Sequence, residues 1–269
     1  ADRFRDFGSV RVHWSSTDSA AVGRPAAWDA WVNQVGSVVT HVLTTYQGAG
    51  YRAPDSDGAL GGGVGKLDIY LVDFAAHGDP GIYGYCNSDK AMPAKGPNNA
   101  WAFCAFDHDF TSFPNRTPLE NLKVTAAHEL FHATQFAYDY REDAWFMEAT
   151  AVWAEDEVYD AINDNLQYNN ASPLRDPRQS LDQFGTGMRQ YGAWFFFRYL
   201  SERFPAAQAG LPIIIRRIWE RADASAGAPD RYSMQAIRRE LAARHTDLRR
   251  IFTRFADGNR RPKRTYAEG

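Results

Sequence analysis

One window of the chain, His128-Glu129-Leu130-Phe131-His132, carries two imidazoles and a carboxylate at a spacing suited to hydrolytic chemistry. The apolar positions around it recur at helical period. In a helix, positions i and i+4 lie one above the other on one face, so both imidazoles can reach the same metal ion. Glu129 projects beside that face, where it can take a proton from a metal-activated water without ligating the metal itself. The bland alternative is a pair of surface histidines beside an unrelated glutamate, and the placement of the motif on a helix just after a strand speaks against it.

Two histidines need at least one further ligand. A structural zinc site fills four protein ligands, often with Cys, whereas a catalytic site keeps one position open. Downstream, in W-F-M-E-A-T-A-V-W-A-E-D-E-V-Y, Glu148 stands sixteen residues after His132. A tight charged turn at 140–143 would bring it back toward the first helix, and Glu148 is the expected third ligand. Glu155, Asp156 and Glu157 are its rivals on the same helix. Glu155 faces the same way as Glu148 but about 10 Å further along the axis, so it is expected to support the site from behind or to lie at the surface. His108, in F-D-H-D-F, is the remaining candidate.

The elements that must position these residues are legible in outline. An alternating stretch at 9–14 reads as a half-buried strand, with His13 on its polar face and expected at the surface. Apolar positions from Trp28 to Val42 recur at helical spacing and predict a helix over about 26–46. Residues 47–65, rich in Gly, Asp and Pro, read as loop. There Asp55 and Asp57 could take Ca²⁺, although the rest of an EF-type loop is missing and a solvated turn accounts for them. Residues 66–74 form the clearest strand, and 100–106 a third after an irregular stretch. Thr117 followed by Pro118 is a good helix start, opening a helix to about 138. A second helix runs over about 144–160, followed by others near 188–203, 211–222, 233–245 and 247–256. The basic tail after Gly258 reads as a frayed end. Strands thus gather in the first part and helices in the second. This order predicts an α+β protein with a sheet lobe over 1–139, ending in the motif helix, and a helical lobe over 140–269.

Composition narrows the function classes. The 269 residues are 44% apolar and 23% charged, with 8 Trp, 13 Tyr and 17 Phe, enough burial to exclude disorder. A formal charge of -3 implies no nucleic-acid partner, and no apolar run reaches the length of a membrane span. Cys86 and Cys104 flank a Pro/Gly/Asn-rich stretch in which a disulfide would pin a loop; two buried thiols are the alternative. Pairing of an even cysteine count favours secretion. The chain opens on Ala1 with no recognisable signal peptide, so removal of an upstream segment is expected. A monomer is expected.

Two stretches, A-A-H-E-L-F-H-A-T-Q and W-F-M-E-A-T-A-V-W, resemble the gluzincins, zinc peptidases that pair HExxH with a glutamate on the following helix. The second stretch is similar to the W-L-x-E-G-x-A segment of the aminopeptidase branch, and still closer to certain secreted bacterial metalloproteases with E-A-T-A-V-W. The likeness covers about 117–159. It implies a zincin-like fold, Zn²⁺ on His128, His132 and Glu148 with an open fourth position, and Glu129 as the base. Position 152, where many thermolysin-like relatives carry an Asp that orients a histidine, is Val here. Related peptidases use a Tyr or His of the helical lobe to stabilise the oxyanion, which makes Tyr191 the candidate, with Gly192 leaving space beside it; Tyr159 and Tyr168 are rivals. By the same analogy a peptide or protein substrate would lie antiparallel to the strand at 100–106, near Phe103 and Phe106. That strand carries N-N-A-W-A-F-C-A-F instead of the glycine-rich exopeptidase signature, so an endopeptidase is expected over an aminopeptidase. A peptidase dedicated to removing one leader or propeptide, and a zincin-fold binding module without turnover, are the competing expectations; the intact Glu129 speaks against the second.

Overall fold

The period-two apolar pattern near the N-terminus and the long valine-rich stripe after it pack against each other, and the sheet grows from that contact. A computed structural model describes residues 1–58, 60, 65–88, 95–185 and 187–267; part of the glycine-rich loop and part of the stretch between the cysteines lie outside the described residues. Strand β1 (Arg3–Phe7) turns tightly into β2 (Val10–Trp14), which leads into helix α1 (Pro25–Gly48). Strand β3 (Leu67–Val72) then pairs parallel to β2, as a β-α-β connection requires. Val32, Val35, Val39 and Val42 on α1 and Val10, Val12 and Ile69 on the strands are fully buried.

Two more strands complete the sheet. Strand β4 (Gly84–Asn87) and β5 (Phe103–Asp107) give the order β1-β2-β3-β5-β4, with β2, β3 and β5 parallel and the two edge strands antiparallel to their neighbours. The fold is therefore mixed α+β with a small mixed sheet. The third strand starts later than the sequence suggested and is interior, so no peptide can add to it, and Phe106 is wholly buried. The edge belongs to β4, which its four residues, flanked by Gly and Pro, conceal in sequence. Cys86 and Cys104 face each other across the β4–β5 ladder and form a disulfide. His13 is also corrected. It is buried, with Nε2 2.6 Å from Asp68 Oδ1 and its ring stacked on Tyr70 at 4.6 Å. β2 lies between two strands, and cross-strand neighbours cover even its polar side chains.

Helix α2 (Pro118–Asp139) begins with a reciprocal cap: the Thr117 hydroxyl accepts from the Glu120 amide, and the Glu120 carboxylate accepts from the Thr117 amide. It packs on α1, where the Tyr46 hydroxyl donates to Ala127 O at 2.6 Å. Gly84 lets β4 approach α2, since a Cβ there would come within 2.8 Å of Thr125 Cγ2. After a four-residue turn, α3 (Ala144–Tyr159) runs back along α2.

The second half is less uniformly helical than its sequence predicts. Two 3-10 segments, Asp160–Ile162 and Asp164–Ala171, follow α3, and the expected helix at 188–203 breaks into α4 (Arg189–Gly192) and α5 (Trp194–Arg203). The strands β6 (Ala207–Gln208) and β7 (Leu211–Pro212) form a small hairpin before α6 (Ile213–Ala222), α7 (Ser233–Ala243), α8 (Leu248–Gly258) and α9 (Pro262–Thr265). The tail is not frayed: Tyr266 is buried, its ring centroid 4.5 Å from that of Phe195. One contiguous apolar cluster extends from Val10 to Tyr266. Among the described residues, no helix is long and apolar enough to cross a membrane.

The α2–α3 turn is pinned by a buried carboxyl. Both oxygens of Glu142 accept from the Ser233 amide at 3.0 Å. Burial, with Asp139 and Asp143 nearby, raises this group from 4.5 to about 8. The folded chain therefore holds the proton more tightly than the unfolded chain. Glu142 contributes its full stabilisation below its ordinary value and loses it as pH rises through the folded one. Stability is expected to fall by about 2 kcal/mol or more between about pH 5 and about pH 9. Glu142→Gln should flatten that fall, as read from urea midpoints across the range.

Candidate metal centre

Helix α2 sets His128 and His132 one turn apart, and α3 returns Glu148 to them. His128 Nε2 and His132 Nε2 lie 3.0 Å apart, and Glu148 Oε2 stands 3.2 Å from the first and 3.6 Å from the second. A tetrahedral ion about 2.05 Å from each donor would space them about 3.3 Å apart. The three residues sequence reasoning nominated as ligands thus converge at the spacing one ion needs.

The outer nitrogens fix which way the imidazoles face. His128 Nδ1 donates to Glu155 Oε1 at 2.5 Å, and His132 Nδ1 donates to Gln135 Oε1 at 2.7 Å. Gln135 cannot be turned round, because its Nε2 donates to Met147 O and Thr150 Oγ1, both at 3.0 Å. With both Nδ1 atoms protonated, both Nε2 atoms point lone pairs at each other and at a carboxylate oxygen. Such a triangle calls for a cation. Without a metal, protons serve. Burial opposes charging of His128, but its bonds to Glu148 and Glu155 lift it well above its ordinary value. Burial likewise opposes ionisation of Glu148, and the two imidazoles nevertheless hold its carboxyl far below the usual range.

Glu129 is buried beside this triangle without joining it. Burial raises its carboxyl, while the two imidazoles and the Cys86 backbone amide on β4 pull it back. Tyr191 on α4 faces His128, with ring centroids 6.2 Å apart, and stacks on Tyr168 at 5.0 Å. Burial, then the nearby carboxylates, raise the Tyr191 hydroxyl, which keeps it a proton donor. The space expected beside Gly192 is filled by the backbone: a Cβ there would meet Ala171 C at 2.5 Å. Tyr159 instead packs near His41 and Lys123.

The rival ligands point elsewhere. Asp156 pairs with Arg198 at 3.1 Å and accepts from Asn165, and Glu157 lies 3.6 Å from the same arginine. His108 is held by Asp18 at 2.8 Å and, with Asp107 and Asp109, forms a separate group of metal-capable side chains. Asp55 pairs with Lys95, and neither it nor Asp57 belongs to a metal-capable group among the described residues. Sequence reasoning missed Gln135 altogether and assigned Glu155 no partner. The seven-residue interval from Glu148 was the available signal for Glu155, which orients His128.

Two cavities flank the triangle along the cleft between β4 and α2. One, of about 350 Å³, lies toward Ile82, Val124 and Thr125; the other, of about 270 Å³, lies toward Tyr85, Phe136 and Met147. Glu129, His128 and Tyr191 line both. No protein-family model matches the chain, and no curated protein matches it either.

Titration with Zn²⁺ is expected to saturate at one ion per chain and to fail in Glu148→Ala. Glu155→Gln should keep the ion but weaken it about 10–100-fold, read by competition with a chromogenic chelator.

Proposed function

We propose that the protein is a secreted zinc-dependent endopeptidase of gluzincin type with a zincin-like fold. The observation that carries this reading is the convergence of His128, His132 and Glu148 on one point, with a second carboxylate, Glu129, beside it and outside the group. A binding site needs the triangle alone; hydrolysis also needs the base. The disulfide suits an oxidising compartment.

A zinc ion held there would supply Lewis acidity and a water that is nucleophilic near neutral pH. Glu129 would accept a proton from that water and hand it to the leaving amine. Its burial suits this shuttle, because a raised carboxyl gives up the proton less readily to solvent. Tyr191 donates a hydrogen bond to the oxygen on which negative charge develops. His128 and His132 keep their orientation through the Glu155 and Gln135 contacts. The peptide adds antiparallel to the edge of β4, whose outward backbone groups fix its course past Glu129. Cavities on both sides of the centre leave room for chain in both directions, which favours cleavage within a chain over removal of a terminal residue.

Wild-type protein loaded with zinc is expected to cleave members of a diverse peptide library at internal bonds. Glu129→Gln should retain one zinc and lose about 10²–10⁴ in kcat. Zinc binding with no cleavage of any library member by wild type would overturn the reading. A milder change, Tyr191→Phe, is expected to lower kcat by about 10²-fold while leaving KM nearly unchanged.

A further inference from the structure

We infer that the larger cavity selects substrates carrying lysine or arginine immediately C-terminal to the cleaved bond. The inference rests on the peptidase reading and gives it a substrate class. The direction of the chain assigns the cavity. The chain through β4 runs from Ile82 and Tyr83, which line only the larger cavity, past Gly84, which lines both, to Tyr85 and Cys86, which line only the smaller, and α2 runs the same way, from Val124 to Phe136. A peptide antiparallel to β4 therefore lays its C-terminal half over the larger cavity.

The chemistry of that cavity suits a long aliphatic stem with a cationic tip. Ile82, Val124 and Met188 supply apolar walls. Its polar lining is dominated by acceptors. Glu155 is only 4% exposed, gives one oxygen to His128, and has no partner for the other among the described residues. Asp164 accepts from Arg116 Nε through one oxygen and from Gln167 Nε2 through the other, each at 2.6 Å. A carboxylate can only accept, so the Gln167 amide must turn its nitrogen toward Asp164, and its Oε1 is left as an acceptor. Arg116 compensates the charge of Asp164 and turns its other nitrogens to Ile162 O at 2.8 Å and Asn163 O at 3.1 Å, so the acceptors left for a ligand are the second Glu155 oxygen and Gln167 Oε1. A buried carboxylate oxygen without a donor is costly, and an entering ammonium or guanidinium supplies the donor. A glutamate entering the same cavity meets like charge.

The test uses the zinc-loaded protein and quenched peptides that differ only at the residue after the cleaved bond. Lysine and arginine should exceed norleucine by about tenfold or more in kcat/KM, and glutamate should fall about a hundredfold below it. Gln167→Leu should reduce the lysine-to-norleucine ratio, and Gln167→Glu should raise it. Norleucine equal to or better than lysine overturns the inference while leaving the peptidase intact. So does a preference for lysine before the bond, which would mean that the peptide runs the other way. A second readout needs no turnover: hydroxamates bearing an aminobutyl or a plain butyl group, compared by calorimetry. Tighter binding of the aminobutyl compound supports the cavity's selectivity even if no peptide is cut, and equal binding overturns it.

Discussion

Gln135 holds together what the site requires. Its oxygen accepts from His132 on α2, while its nitrogen reaches across to Met147 O and Thr150 Oγ1 on α3. The same amide thus sets the tilt of an imidazole and the separation of the two helices that carry the donor triangle. Thr150 is itself fixed, since it donates to Phe146 O and accepts from Trp219 of α6 at 3.3 Å. Buried networks of this kind are worth most when every member is satisfied, because the low local dielectric penalises any gap. The helical half therefore contributes more than a lid: its packing reaches the donor triangle through Trp219, Thr150 and Gln135.

The cleft is fixed from its other side by backbone. Gly84 admits β4 close to α2, and the disulfide fastens that edge strand to β5 inside the sheet. Edge strands are the least restrained part of a sheet, and this one carries the Cys86 amide that acts on Glu129. Holding β4 in register thus fixes the surroundings of the Glu129 carboxyl.

Sequence patterns that act locally were legible. The helix period, the Thr117 cap and the HExxH spacing depend on residues within a turn or two of each other, and α1, α2 and α3 lie where those patterns put them. The nomination of Glu148 needed only a short turn between two helices. What escaped depended on neighbours distant in sequence. The alternation at β2 gives a polar face, yet whether β1 and β3 cover it is decided elsewhere, so His13 was misplaced. Strand β4 has too few residues for a period to show, and its partner lies beyond a loop. Gln135 and Glu155 have ordinary helical surroundings, and their roles appear only when two helices are set side by side. The break between α4 and α5 falls in an apolar run that reads as one helix, and the chain's crowding against Gly192 is invisible until residues 171 and 172 arrive.

The disposition of the donors along the chain bears on how the protein assembles. His128 and Glu148 are separated by 20 residues and belong to one helical hairpin, so bringing them together closes a short loop at small entropic cost. Tyr191 and the β4 edge come from far outside that hairpin. Contacts of low sequence separation form first as a rule. A growing or refolding chain can therefore bring its three donors together as a local event, well before the distant segments complete the cleft. The order of assembly sets the donor triangle in place while the surfaces that border it have still to arrive.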